Sequence, residues 1–146
     1  MNRLTAVLAC LTALPAMAAE QEPNNDFGSA NTTSHGQVIR GAITAGDEDY
    51  FVLTINGQAT IDAWTSAANG GRNMDTTLRM YDGNQASIAY NDDRGGRAEG
   101  LYSGVSQANA AAGTYYFLVK GFSNFSTGDY QFHVELSGGP DLSVTN

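Results

Sequence analysis

Apolar and polar residues alternate along much of this chain with the two-residue period of a β-strand. In the clearest case, the segment YQFHVEL, Tyr130, Phe132, Val134 and Leu136 share one face and polar side chains occupy the other. This pattern predicts a strand with one buried and one solvated face. Further strands, most of them rich in β-branched and aromatic residues, are predicted at 37–43, 49–55, 59–65, 76–81, 86–91, 101–106 and 114–120.

The segments between these strands are rich in glycine, asparagine and aspartate, which tolerate the backbone angles of turns. One of them, NGQ at 56–58, is short enough to predict a hairpin between the strands on either side. Helical periodicity is nearly absent. About eight short strands with such turns predict an all-β fold, an antiparallel β-sandwich with jelly-roll-like connections.

Residues 1–19 have the parts of a secretory signal peptide. Arg3 precedes an apolar run over 4–14, and the small residues at 16–18 form a cleavage site. The apolar run is too short to span a bilayer. We therefore expect export, to the periplasm or the extracellular space, with cleavage after residue 18 or 19.

Cleavage there defines a single domain over 20–137, followed by a polar tail at 138–146 that we expect to be flexible. The only cysteine, Cys10, lies inside the signal, and the residues before it match a lipoprotein site poorly. Lipid anchoring is therefore not expected. The mature domain has no disulfide to stabilise it, so another source of rigidity is needed.

The charge balance is strongly acidic. The chain has 7 Lys and Arg against 15 Asp and Glu, a net charge of −8, and loss of Arg3 with the signal gives 6 − 15 = −9. This charge argues against nucleic acid and anionic membranes as partners. It is compatible with plain solubility, or with cation binding where the acids cluster in loops.

Sequence motifs of common enzyme classes are absent: the chain has no HExxH, GxSxG, P-loop or GxGxxG motif. The two histidines, His35 and His133, are expected to be ordinary solvated side chains. We therefore expect a noncatalytic protein. The alternative is a small secreted hydrolase that acts on polysaccharide through a pair of carboxylates, which acidic composition alone leaves open.

Oxygen-bearing side chains are concentrated in EQEPNND at 20–26 and in GDED at 46–49, at the start of a predicted strand. Calcium takes six to eight oxygen ligands, and a divalent cation would offset the repulsion among these acids. Alternatively, the first segment is a solvated leader and the second a polar turn. The candidate ligands from the residues alone are Glu20, Glu22, Asn24, Asn25, Asp26, Asp47, Glu48 and Asp49.

The acidic segment NDDRGGRAEGLY at 91–102 is not an EF-hand loop, since Tyr102 stands where the bidentate glutamate is required. We interpret it as an acidic loop. A second, weaker cation site near Asn91–Asp93 remains an alternative.

Six segments in order, EPNND, GAITAGDEDYFVL, MDTTLRMYD, IAYNDD, AGTYYFLVKG and GDYQFHVEL, resemble the bacterial pre-peptidase C-terminal domain family, which includes the collagen-binding domains of bacterial collagenases. The resemblance runs from about Glu20 to Leu136. It implies a jelly-roll β-sandwich, normally appended to secreted peptidases, that often carries calcium between the acidic leader and the GDxDYF-like turn.

Carried over by position, the resemblance implies calcium ligands at Glu20, Glu22, Asn24, Asn25, Asp47 and Asp49, with the main-chain oxygen of Ala42. Asn25 stands where relatives can have an aspartate, so either Asn25 or the neighbouring Asp26 would complete the set.

The ligand-binding surface of the collagen-binding relatives is not reproduced. Lys120 and Phe122 stand where those relatives present tyrosines, so collagen binding is not implied. Phe122 and Phe125 are candidates for an exposed apolar contact. The expected function is that of a secreted, monomeric, calcium-stabilised binding module that acts in substrate or surface binding, or in secretion. The expected partner is an extracellular polymer, a cell-surface component or a protein, including a separately encoded secreted peptidase.

Overall fold

The computed structural model, which describes residues 17–68, 74–93 and 100–138, is a sandwich of two five-stranded sheets. Residues 1–16 of the predicted signal peptide 1–19, with Cys10, and the predicted tail from residue 139 lie outside the described residues. The last three residues of that predicted peptide, Met17–Ala19, are described and form a strand. The strands are β1 (Met17–Ala19), β2 (Asn31–Thr32), β3 (Val38–Ile43), β4 (Glu48–Ile55), β5 (Ala59–Ala67), β6 (Thr76–Tyr81), β7 (Ser87–Asn91), β8 (Gly104–Ala110), β9 (Gly113–Gly121) and β10 (Gly128–Ser137).

Sheet A has the strand order β1-β3-β10-β5-β8, and sheet B has the order β2-β4-β9-β6-β7. The two short strands β1 and β2 pair in parallel with β3 and β4, and the other pairs are antiparallel. The predicted all-β sandwich is confirmed, and the eight predicted strands correspond to β3–β10. Within the described residues, no helix is long and apolar enough to cross a membrane.

The predicted hairpin across residues 56–58 is wrong. Strand β4 pairs with β2 and β9 in sheet B, whereas β5 pairs with β10 and β8 in sheet A. The turn therefore crosses between layers. Alternation identifies the buried face of a strand but not its neighbour, and the buried faces of β4 and β5 meet across the core instead of lying side by side.

The core lies between the sheets and contains the residues that the alternation predicted. Tyr130, Phe132 and Val134 of β10 are buried, and Leu136 is partly buried against the same cluster. The ring of Phe132 stacks on Phe51 of sheet B, with 4.4 Å between ring centroids and 12° between ring planes. This contact joins the middle of the two sheets.

The N-terminal segment from β1 to β2, residues 17–32, is called the leader below. It starts along the edge of sheet A at β3 and ends along the edge of sheet B at β4. On the way, Phe27 packs edge-on against Tyr50, Tyr81 and Tyr116 of sheet B, with ring centroids 4.9, 5.0 and 5.1 Å away. The leader therefore spans both sheets and has its own aromatic anchor.

Candidate metal centre

Asp49 is the innermost acid of the leader side of the sandwich. It is the second residue of β4 and points into the core, where its side chain is 0% exposed. The hydroxyl of Tyr130 donates to its Oδ2 at 2.5 Å. Gly41, the cross-strand partner of Tyr130, makes this contact possible. A Cβ at Gly41 would lie 2.3 Å from Cζ of Tyr130, so only glycine leaves room for the ring.

Two acids of the leader reach the same place. Ligand oxygens of Glu20, Glu22 and Asp49 all lie within 4.8 Å of one another. Glu20 is held by two backbone contacts with β3: its N–H donates to the carbonyl of Arg40 at 2.9 Å, and the N–H of Ala42 donates to Glu20 Oε1 at 2.6 Å. Ala42, whose carbonyl was the predicted ligand, thus contacts the centre through its N–H.

Asn24 closes this group. Asn24 is 0% exposed, and its main-chain carbonyl accepts the N–H of Tyr50 at 2.9 Å. One terminal atom of its amide lies 3.0 Å from Glu22 Oε2 and 3.3 Å from Asp49 Oδ1. With nitrogen at that position, the amide donates to both carboxylates. With oxygen there, three oxygens converge and a cation is needed between them.

We call Glu20, Glu22, Asn24 and Asp49 the acidic centre. Burial, followed by the adjacent Glu20 carboxyl, raises the pKa of Asp49 to about 9. Burial also raises the pKa of Glu20, against hydrogen bonds from Asp49, Ala42 and Asn24 that act in the opposite direction. Without a cation, these carboxyl groups therefore tend to take up protons. A bound cation would instead offset the negative charge and let the carboxylates stay ionised. Carboxylate and amide oxygens are the donors that calcium prefers.

A second set of oxygens lies next to the acidic centre. One terminal atom of the Asn25 amide lies 3.0 Å from Asp47 Oδ1 and 2.8 Å from the main-chain oxygen of Glu48. Asp47 also shapes the turn between β3 and β4, because its Oδ2 accepts the N–H of Thr44 at 3.2 Å. The predicted ligands Asn25 and Asp47 therefore lie together, beside the three carboxylates rather than among them.

Asp26 faces away from both sets. Its Oδ1 accepts the N–H and the hydroxyl of Ser29, each at 2.8 Å. These hydrogen bonds lower the pKa of Asp26. Of the two neighbouring candidates, Asn25 is thus the one that faces other oxygen ligands, and Asp26 instead stabilises a turn of the leader.

The second predicted cation site, near Asn91–Asp93, is only partly described. Asn91 Oδ1 accepts the N–H of Gly104 at 3.2 Å, and its Nδ2 donates to the carbonyl of Asp93 at 3.0 Å. Burial, followed by the charges of Asp93 and Asp92, raises the pKa of Asp75 nearby. Residues 94–99 of this acidic loop lie outside the described residues.

The predicted apolar contact residues are exposed. Phe122 is 59% exposed and Phe125 94%, on the loop between β9 and β10. Lys120, at the end of β9, pairs with Glu48 at 3.6 Å, and both side chains are partly exposed to solvent. This loop borders the turn that carries Asp47.

The geometry is unfavourable to the hydrolase alternative at this centre. Asp49 is wholly buried, so it has no access to a glycosidic bond. His133, expected to be solvated, is half-buried: it stacks on Trp64 and hydrogen-bonds Ser66 Oγ at 2.7 Å. Burial lowers the pKa of His133. The contacts of His133 with Trp64 and Ser66 are of the kind that side chains on neighbouring strands make on the outer face of sheet A.

Two neighbours of the acidic centre, Tyr130 and Gly41, were not connected with it from the sequence. Tyr130 is 81 positions from Asp49, and no local pattern connects them. Gly41 in the interior of a predicted strand was the available signal, since such a glycine often marks a close approach of another group.

Comparison with known proteins agrees with the family resemblance and with the fold. The profile of a family described as the bacterial pre-peptidase C-terminal domain matches residues 47–121. No curated protein matches the chain.

Two similar solved structures support the fold alone. The pre-peptidase C-terminal domain of collagenase from Bacillus anthracis has 24% identity and a TM-score of 0.57, over 73% of this chain and 94% of that one. Aeromonas hydrophila PliG, a periplasmic lysozyme inhibitor of g-type lysozyme, has 14% identity and a TM-score of 0.53, over 84% of this chain and 100% of that one.

Proposed function

The chain belongs to the bacterial pre-peptidase C-terminal domain family, and from this premise we propose that it is a secreted, noncatalytic binding module stabilised by calcium. Domains of this family are generally noncatalytic accessory domains of secreted peptidases. The family and the periplasmic inhibitor of similar fold support a location outside the cytoplasm, in the periplasm or the extracellular space.

The convergence of Glu20, Glu22 and Asp49 within 4.8 Å is the observation that carries the calcium proposal. Two further features favour a cation there. Asp49 is 0% exposed, and a buried carboxylate that stays ionised requires a compensating charge. The Asn24 amide lies at the same point, and with its oxygen turned towards Glu22 and Asp49 the donor set is one that calcium accepts.

In this proposal Glu20, Glu22, Asn24 and Asp49 hold the ion, and Asn25, Asp47 and the Glu48 carbonyl form an adjoining set of ligands. The ion supplies positive charge that lets the carboxylates stay ionised inside the fold. Its effect is to fasten the leader to β3 and β4. An ion that binds only the folded chain adds about 2.7 kcal/mol to the free energy of unfolding at a hundredfold excess over Kd.

The binding role would use the surface beside this centre. Lys120, Phe122 and Phe125 are the candidate contacts, because they are exposed, and Lys120 and Phe122 border the turn that carries Asp47. The partner would be an extracellular polymer, a cell-surface component or a secreted protein such as a peptidase. The net charge of −8 disfavours nucleic acid.

Thermal melting with calcium and with a chelator tests the proposal. We expect calcium to raise the melting temperature of the wild-type chain and of an Asp26→Asn variant. The carboxylate that this variant lacks faces Ser29 in the wild type and not the acidic centre. Glu22→Gln should lose most of the shift. Equal melting temperatures of the wild-type chain in calcium and in chelator would sink the calcium proposal.

A further inference from the structure

The loop between β9 and β10 exposes two phenylalanines. Phe125 is 94% exposed and Phe122 is 59% exposed, whereas Phe51, Phe117 and Phe132 are all 0% exposed. Removing this apolar surface from water would be favourable, at roughly 25 cal/mol per Å². Neither ring contributes to the core cluster of the sandwich. Their exposure is therefore not explained by the stability of the fold.

The loop is nevertheless a defined turn. The N–H of Ser126 donates to the carbonyl of Ser123 at 3.0 Å, and the N–H of Phe125 donates to Ser123 Oγ at 3.3 Å. A Cβ at Gly121 would lie 2.2 Å from the carbonyl oxygen of Ser126, so the loop folds tightly back on its own base. A structured loop loses little conformational entropy when it binds, which favours its use as an anchor.

The base of the loop is fastened to acidic segments on both sides. The N–H of Phe122 donates to the carbonyl of Asp75 at 3.0 Å. On the other side, Lys120 pairs with Glu48 at 3.6 Å, and Asp47 borders the same shallow hollow as Phe122. The chain carries −8, or −9 once Arg3 is lost with the signal, and one bound divalent cation would then leave −9 + 2 = −7. The rings are thus presented within a negative field.

We propose that this loop is an anchor for a partner protein that has an apolar pocket with a basic rim, with Phe125 entering the pocket and Phe122 packing at its edge. The inference rests on the proposed binding role and names its contact and the chemistry of its partner. Exposed aromatic anchors in ordered loops are typical of binding hot spots. The negative field favours a basic protein surface over an anionic membrane.

The test is selection of a random peptide library displayed on phage, on the immobilised wild-type chain in calcium. The library is first depleted on a variant that carries both Phe122→Ser and Phe125→Ser. We expect recovered peptides to combine Lys or Arg with apolar residues. Synthetic copies should lose about tenfold or more in affinity for Phe125→Ser, and weaken as salt rises.

Tyr90→Ser is the matched control, since Tyr90 is a 49% exposed aromatic on the edge strand β7, outside the loop. Its affinity for the peptides should equal that of the wild type. The inference is overturned if no peptide distinguishes the wild type from the double variant, or if the recovered peptides are acidic. Phe125-dependent binding to vesicles of phosphatidylcholine and phosphatidylglycerol would also overturn it, because the partner would then be a membrane.

The calcium shift in melting temperature, measured on the double variant, separates this inference from the proposed function. We expect the shift to persist, because both rings are exposed and lie outside the acidic centre. Failure of the peptide selection with the shift intact refutes the loop anchor alone. Loss of the shift in the wild type, with Phe125-dependent binding intact, refutes the calcium proposal alone.

Discussion

Replacing Asp49 by asparagine separates two consequences of burying this carboxyl next to Glu20. Asparagine has nearly the same shape, its oxygen can accept the Tyr130 hydroxyl, and its nitrogen can donate to Glu20. It carries no charge, however, and does not titrate. The variant therefore keeps the packing of the centre and removes both the proton that the cation-free site takes up and the anionic ligand that calcium would use.

The expected gain without calcium follows from the pKa of Asp49, which burial raises from 3.8 to about 9. A raised carboxyl pKa contributes stability below pH 4 that is lost as pH rises towards 9, because the folded chain holds a proton that the unfolded chain has released. At pH 7 the uptake of this proton on folding lowers the free energy of unfolding by about 4 kcal/mol. This figure is about 1.36 kcal/mol for each pH unit between 3.8, the ordinary pKa of the carboxyl, and pH 7. The asparagine side chain of the variant avoids this cost.

Two melting curves in chelator and two in calcium, for the wild type and Asp49→Asn, measure both effects. In chelator the variant should melt at the same temperature as the wild type or above it. In calcium at a hundredfold excess over Kd the wild type should gain about 10 °C, and the variant almost nothing. A variant that melts well below the wild type in chelator, or that keeps the full calcium shift, would refute this reasoning.

Three further predictions address the same region. Phe27→Ala removes the ring that packs against three tyrosines and should cost about 2 kcal/mol by urea denaturation, with weaker calcium binding because the leader is less well held; an unchanged midpoint would contradict this anchor role. Gly41→Ala should cost more than about 2 kcal/mol by the same assay, because its Cβ would displace the Tyr130 ring; a fully stable variant would show that the ring moves freely. The calcium shift in melting temperature should grow from pH 5 to pH 9, because burial raises the pKa of both Asp49 and Glu20 and protons compete with the ion; a shift that is constant across this range would mean that these carboxyls do not bind the ion.

The strands could be predicted from the sequence because the alternation of apolar and polar residues can be recognised within a single short segment. Tyr130, Phe132 and Val134 are buried as their alternation indicates, and β3–β10 lie close to the predicted segments. The pairing of β4 and β5 could not be predicted, because alternation is the same for a strand in either sheet. β1 and β2 have three and two residues, which is too short for a periodic signal.

The sequence predicted which residues form the candidate centre better than it predicted how their side chains are oriented. The leader and the GDED segment supply Glu20, Glu22 and Asp49, as proposed from their oxygen-rich sequences. The orientation of Asn25 towards Asp47, and of Asp26 towards Ser29, depends on the path of the leader between the sheets. Adjacent residues in sequence cannot be distinguished by composition when the backbone turns between them.

The central claim, that the acidic centre of Glu20, Glu22, Asn24 and Asp49 binds calcium, is tested most directly by calorimetric titration. Calcium is titrated into the chelator-treated chain near pH 8, where protons compete less with the ion. We predict saturable binding by the wild type and by Asp26→Asn, and its loss in Glu22→Gln and Asp49→Asn, with all four chains folded. Absence of binding to the folded wild type, or unchanged binding by Asp49→Asn, would contradict the claim.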